Sequence, residues 1–261
     1  EHRLQFEVGV QSTCIKTLKE ISRTPNIERT LEGIRLLKTT GINLHVDLIA
    51  GLPHEGFERF GHSFDDVFNL NPEEIQLGFL KLLKGTRLRK KVHEYGIEYR
   101  SKPPYEILYS KDISYDELQI LQGIAWLVDK YHNTGRISFS LEYLVGHFAR
   151  PFEFYLSLYD YWHDNGLFKR RHSLKAMYDI LYTYAKSINV DKELFKDFIK
   201  LDFLKNIGKG ATPDCIELET KEFMQRAKNH VYDEKWLEAN LPQAIGMTGR
   251  EISKYINFGY F

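Results

Sequence analysis

Asn43-Leu44-His45-Val46-Asp47-Leu48-Ile49-Ala50-Gly51-Leu52-Pro53-His54-Glu55 is the stretch on which the fold turns. An apolar run holding one aspartate ends in Gly-Leu-Pro, which reads as a buried parallel strand that stops where a loop begins. Side chains alternate along a strand, so His45, Asp47 and Ile49 share one face and Leu44, Val46 and Leu48 the other. An acid within a buried strand is costly unless it is paired or used. Two readings of Asp47 stand: it caps a neighbouring helix or pairs with a cation, or it serves a ligand. Ligands of parallel sheets bind beyond the carboxyl ends of the strands, and Gly51 to Glu55 lie there.

Working outward, Leu4 to Gln11 reads as a strand, with Glu7, Gly9 and Gln11 on one face and Phe6, Val8 and Val10 on the other. Ser12-Thr13 offers a helix cap. Asn26 caps a second helix, in which Ile27, Leu31, Ile34 and Leu37 recur at helical spacing and which Gly41 ends. Phe57 to Leu70 reads as the next helix, Glu74 to Leu82 as a third strand, and Arg87 to Tyr95 as a basic helix. Strand, helix, strand, helix, strand predicts a parallel sheet with right-handed crossovers. Three strands cannot close a barrel, and an open edge on the first is a liability, so further strands are expected before Glu1. The absence of an initiating methionine points the same way.

Lys102-Pro103-Pro104-Tyr105 marks a linker, and the expected domains are residues 1–101 and 102–261. The second is helical. Ser114 with Glu117 makes a capping box opening a helix from Tyr115 to about His132. Leu141–Phe148, Phe152–Asp164, Ser173–Ser187, Lys192–Leu204, Thr220–Asn229 and Glu234–Asn240 follow as helices. The fold class is therefore α/β plus all-α.

Lys and Arg total 36 against 36 Asp and Glu, so no global charge argues for nucleic acid or a membrane surface. No apolar run spans a bilayer and no signal peptide appears. Two cysteines, Cys14 and Cys215, make no disulfide framework and point to a reducing compartment, the cytosol.

Taken together, Glu7-Val8-Gly9-Val10-Gln11-Ser12 and Asp47-Leu48-Ile49-Ala50-Gly51-Leu52-Pro53 resemble the second half of a radical S-adenosylmethionine (radical SAM) domain. The branch is that of oxygen-independent coproporphyrinogen oxidase and the cobalamin-binding radical SAM proteins. Ser22-Arg23 and Leu82-Leu83-Lys84-Gly85-Thr86 fall in the family's order. This resemblance covers about residues 4–100. About 105–205 is similar to the uncharacterised C-terminal domain of some cobalamin-type members. The fold implied is a partial parallel (β/α) radical SAM barrel followed by a helical domain.

The resemblance implies reductive cleavage of S-adenosylmethionine to a 5′-deoxyadenosyl radical, with fixed geometry deciding which hydrogen is taken. Gln11 and Asp47 would then hydrogen-bond the ribose hydroxyls, and Arg23 would face the methionine carboxylate. Ile49 would pack on adenine and Gly51 would let backbone approach it. Glu55 completes an x-x-Ile-x-Gly-x-x-Glu pattern, and Glu7 faces the same way as Gln11, toward the substrate. The cofactors implied are S-adenosylmethionine, a [4Fe-4S] iron-sulfur cluster and, left open, cobalamin.

The departures are specific. The family's Cys-x-x-x-Cys-x-x-Cys is missing, so the cluster's ligands are expected in an upstream part of the same protein, and this fragment is expected to be inactive alone. The cobalamin motif Asp-x-His-x-x-Gly is missing too; Asp129, His132 and Gly135 come near it at a helix end and read as structural. The substrate is expected to be a small molecule. RNA is the less favoured partner, gripped by the helical tail, whose Tyr155, Tyr159 and Trp162 also fit a core stripe. A non-enzymatic helical module on a degenerate barrel is the third reading.

Overall fold

A computed structural model describes residues 4–23, 26–206, 211–217, 221–229 and 232–252. Strand β1 (Gln5–Gln11) leads into helices α1 (Ile15–Glu20) and α2 (Ile27–Lys38). Strand β2 (Asn43–Ala50), helix α3 (Phe57–Phe68) and strand β3 (Glu74–Phe79) follow, then the short helix α4 (Arg87–Lys90) and strands β4 (Glu98–Tyr99) and β5 (Ile107–Tyr109). The rest is helical: α5 (Tyr115–Tyr131), α6 (Ser138–Val145), α7 (Pro151–Asp164), α8 (Leu174–Ser187), α9 (Lys192–Lys205), α10 (Lys221–Asn229), α11 (Glu234–Asn240) and α12 (Gly249–Ile252). The chain packs as two compact units, residues 1–135 with 145–169 and residues 136–144 with 170–261.

In the first unit β1, β2 and β3 form a parallel sheet in that order. Leu44, Val46, Leu48 and Ala50 have no exposed surface, while His45, Asp47 and Ile49 between them stay half-buried. Helices α2 and α3 pack beside β2, and α5 packs on β3, so one face of the sheet is core and the other is open. Helix α3 turns Phe60, Phe64 and Val67 inward, and Phe64 meets Phe152 and Tyr155 of α7. Asp65 of α3 accepts the N–H of Phe152 at 2.7 Å and so caps α7 from outside. Asn133 docks on β3 as an extra strand residue would, accepting from Ile75 N at 2.9 Å and donating to Ile75 O at 3.0 Å. Tyr155 and Trp162 are wholly buried, so that aromatic stripe is core.

In the second unit α8 and α9 pair. Tyr143 of α6 stacks on Phe195 and Phe198 of α9. Asp202, fully buried, accepts the N–H groups of Phe139 and Ser140 at 3.1 and 2.8 Å. That cap from a distant helix makes α6 begin at Ser138 rather than at Leu141. Leu237, Ala244 and Ile252 form a small separate cluster with Trp236 and Leu241.

Other departures from the sequence reading have local causes. The basic helix expected to reach Tyr95 stops at Lys90: Arg87, Arg89, Lys90 and Lys91 crowd like charge with no acid in its first turn. Ser12 and Thr13 do not cap α1; Cys14 holds the cap position without a side-chain capping bond, because both hydroxyls donate elsewhere, to Glu55 and Asp66. The turn at Lys102–Tyr105 lies between the two strands of a small antiparallel ribbon. The capping box at Ser114 and the cap at Asn26 form as expected, and Ser173 caps α8. Thr220, the expected start of α10, lies outside the described residues.

Candidate functional site at the carboxyl ends of the parallel strands

The site is built on the register between β1 and β2. Glu7 pairs with His45 and Gly9 with Asp47, and the ladder slips between Gly9 and Gln11. Gln11 takes a left-handed backbone (φ 68°) there. Its side chain folds back over Gly9: a Cβ on Gly9 would stand 2.3 Å from Gln11 Nε2 and 3.6 Å from Arg23 Nη2. The glycine is what leaves room for the amide. Arg23 donates from Nη1 to the Gly9 carbonyl at 3.2 Å. Gln11 and Arg23 thus converge on the strand position beside Asp47.

Asp47 lies 3.2 Å from His45 Nε2, and His45 Nδ1 lies 3.5 Å from Glu74. The Asp47 atom in that contact with His45 is Oδ1, which is buried and makes no hydrogen bond. Burial raises the Asp47 pKa, His45 opposes that shift, and the Glu7 carboxyl beside it raises it further; the net direction is upward. Ile49 shares this face, and its register partner is Gly78, so no side chain crowds it from β3.

Gly51 and Glu55 are placed differently. Gly51 is buried at φ +86°, and a Cβ there would meet the Ile107 side chain at 3.0 Å. The close approach it permits is that of Ile107. Glu55 is fully buried. Its Oε1 accepts from Ser12 Oγ at 2.8 Å and Ser63 Oγ at 2.6 Å, while Oε2 has no hydrogen-bond partner. Thr13 N donates to Ser63 Oγ at 3.0 Å, and Thr17 Oγ1 to the Pro53 carbonyl at 2.9 Å. Glu55 therefore ties the loops after β1 and β2 to α3, behind the residues that face the opening.

Glu7, Gln11, Arg23, Asp47 and Ile49 are gathered around the Gly9–Asp47 pair, and Glu55 and Gly51 support them from within. The sequence reading set Gly9 on this face without a role, took Ser12 for a helix cap, and passed over Gly78 and Ser63. Gly9 and Gly78 carried no turn signal, and Ser63 lies in the middle of a helical pattern. His132, which the sequence placed near a cobalamin motif, lies 3.0 Å from the Pro72 carbonyl and packs on Phe68. Gly135 ends its turn at φ +61°. Both serve the fold.

Comparison with known proteins places this geometry in context. The chain is 31% identical over 99 residues to the oxygen-independent coproporphyrinogen-III oxidase-like protein HemZ of Bacillus subtilis, covering 38% of this chain and 20% of that protein. It is 26% identical over 152 residues to the uncharacterised Bacillus subtilis protein YtqA, covering 53% and 47%. It is 28% identical over 115 residues to the tRNA uridine(34) acetyltransferase of Methanocaldococcus infernus, covering 42% and 21%. Among solved structures, Methanocaldococcus infernus Elp3 with an N-terminal deletion aligns with a TM-score of 0.33 at 25% identity, over 36% of this chain and 22% of that one. The chain thus spans between a fifth and about half of the length of these curated relatives. The HemZ match lies in the branch to which the Gly-Val-Gln-Ser and Asp-Leu-Ile-Ala-Gly-Leu-Pro motifs point, and it supports a radical SAM-related kinship. A family pattern covers residues 93–261, the larger part of the chain, and by it the chain belongs to the family described as protein of unknown function DUF4080.

Proposed function

We propose that this chain supplies the S-adenosylmethionine-facing strands of a radical SAM enzyme. The observation that carries the reading is the buried Oδ1 of Asp47, which has His45 Nε2 at 3.2 Å but makes no hydrogen bond, beside the Gln11 amide held over Gly9. An unsatisfied carboxylate oxygen fits a hydroxyl donor. Gln11 and Asp47 would hold the ribose, Arg23 the methionine carboxylate, and Ile49 the adenine ring. Glu55 acts as a positioning residue, fixing the loops that carry Gln11 and Gly51. Bound S-adenosylmethionine supplies a sulfonium–carbon bond that one electron can cleave. The cluster that would deliver the electron does not fit this chain. Its only cysteines are Cys14 and Cys215, and among the described residues no three His, Cys, Asp or Glu converge as metal ligands. Cluster ligands from an upstream part of the same protein complete the reading, and no cobalamin site is assigned.

A second reading, an RNA-modifying enzyme, draws on the alignments with acetyltransferases named for tRNA uridine. A small-molecule substrate is the alternative to it.

Equilibrium dialysis of labelled S-adenosylmethionine against this protein and its Asp47→Ala and Gln11→Ala variants tests the assignment. The expected loss of affinity is at least tenfold for each. Equal affinity in wild type and both variants, or no binding by wild type, would overturn it.

A further inference from the structure

The chain's charge is balanced overall but not along its length. Residues 81–102 hold eight Lys and Arg against two Glu, in a chain with 36 of each sign. This segment leaves the carboxyl end of β3, the end at which the candidate site opens. It joins that site physically: Arg87 Nη1 reaches Ser22 Oγ at 3.4 Å, next in sequence to Arg23, and its Nη2 reaches Glu20 at 3.4 Å.

Lys91 is neutralised by Glu20 and Glu94, but Lys81, Lys84, Lys90, Arg100 and Lys102 are exposed and have no ion-pair partner among the described residues. The segment is nevertheless ordered. Arg89 donates to the Leu82 carbonyl at 2.9 Å, and its guanidinium lies over the rings of Tyr99 and Tyr105, 5.1 and 4.7 Å from their centroids. Arg89 thus rivets the loop, and its neighbours present their charge outward.

We propose that residues 81–102 form a contact surface for the phosphate backbone of an RNA substrate and deliver it to the strand ends. A small phosphorylated metabolite would need convergent, enclosed donors; these cations are exposed and spread along one segment. A long polyanion instead gains from many separate phosphate contacts and the counterions they release. The rings of Tyr99 and Tyr105 are already covered by Arg89, so the surface offers charge rather than base stacking. The choice of RNA over DNA rests on the second reading given above.

The test is fluorescence anisotropy of this protein with a labelled tRNA transcript across a salt series. One variant combines Lys84→Gln, Lys90→Gln and Arg100→Gln; a second combines Lys169→Gln, Arg170→Gln and Arg171→Gln. The first variant should bind at least tenfold more weakly. It should also lower the slope of log affinity against log salt by about 2, at roughly 0.7–0.9 for each phosphate left without its cation. The second should bind as wild type does. Unchanged binding in the first variant, weakening confined to the second, full competition by millimolar inorganic phosphate, or no binding by wild type would each overturn the proposal. S-adenosylmethionine affinity is measured on the same samples. A protein that binds it but not RNA refutes this surface alone; one that binds RNA but not S-adenosylmethionine supports it while refuting the strand-face assignment.

Discussion

Ser12 donates its hydroxyl hydrogen to Glu55 over 2.8 Å, joining two loops that are 43 residues apart in sequence. Ser63 makes a second such bond from α3, and the carboxyl they share is sealed from water. Burial raises the Glu55 pKa, while the two hydroxyls and the charge of Arg59 only partly oppose the shift.

The sign of the resulting pH effect follows from proton affinity. The folded state holds the Glu55 proton more tightly than the unfolded chain does, so stability from this group is present below the ordinary glutamate value of about 4.3 and is lost as pH rises through the raised folded value. Glu55→Gln keeps an oxygen to accept both hydroxyls and cannot ionise. In urea unfolding at pH 5 and pH 8, wild type should lose stability relative to Glu55→Gln as pH rises. A difference that does not change with pH would refute a raised Glu55.

Helices α3 and α7 meet where Gly61 faces Phe152. A Cβ on Gly61 would stand 2.5 Å from Phe152 Cδ1, and Phe152 is itself buried. Gly61→Ala should destabilise the protein by about 1–3 kcal/mol through overpacking. Gly33 in α2 has nothing within 4 Å of its would-be Cβ, so Gly33→Ala should stabilise by roughly 0.5–1 kcal/mol. Thermal melts that move in the same direction for both variants would contradict this packing.

The two thiols should differ in reactivity. At Cys14 burial acts to raise the pKa, but hydrogen bonds at the start of α1 and the charge of Arg59 outweigh it, and the net shift is downward. Burial, reinforced by Asp179, pushes Cys215 up to about 12. The thiolate is the nucleophile, so iodoacetamide at pH 7.5 should label Cys14 at least tenfold faster. Mass spectrometry of timed digests reads this directly, and equal rates would refute it.

Much of the fold was legible because its signals are local. The period-two alternation of β2, the Gly51 turn and the caps at Asn26 and Ser114 are each decided within a few residues. What escaped depends on partners far away in the chain. The hydroxyls of Ser12 and Thr13 look like a helix cap until Glu55 and Asp66 accept from them. Helix α6 begins early because Asp202 supplies its cap. The two- and three-residue strands β4 and β5 are too short to carry a period, and nothing local announces that Asn133 will dock on β3. At the candidate site, the residue types at Gln11, Asp47 and Ile49 could be read, but the room that Gly9 leaves for Gln11 and Gly78 leaves for Ile49 could not. A glycine's meaning here lies in what its neighbours put into the space.

The strict alternation of β2 also sets how the chain can change over time. Positions 44, 46, 48 and 50 answer to the core, and positions 45, 47 and 49 do not. A library of all substitutions along this strand, sorted first for folded protein and then for ligand capture, would read as two interleaved combs. One set of teeth would vanish at the first sort and the other only at the second. Drift in specificity can then run along one side of a single strand while the other side stays fixed.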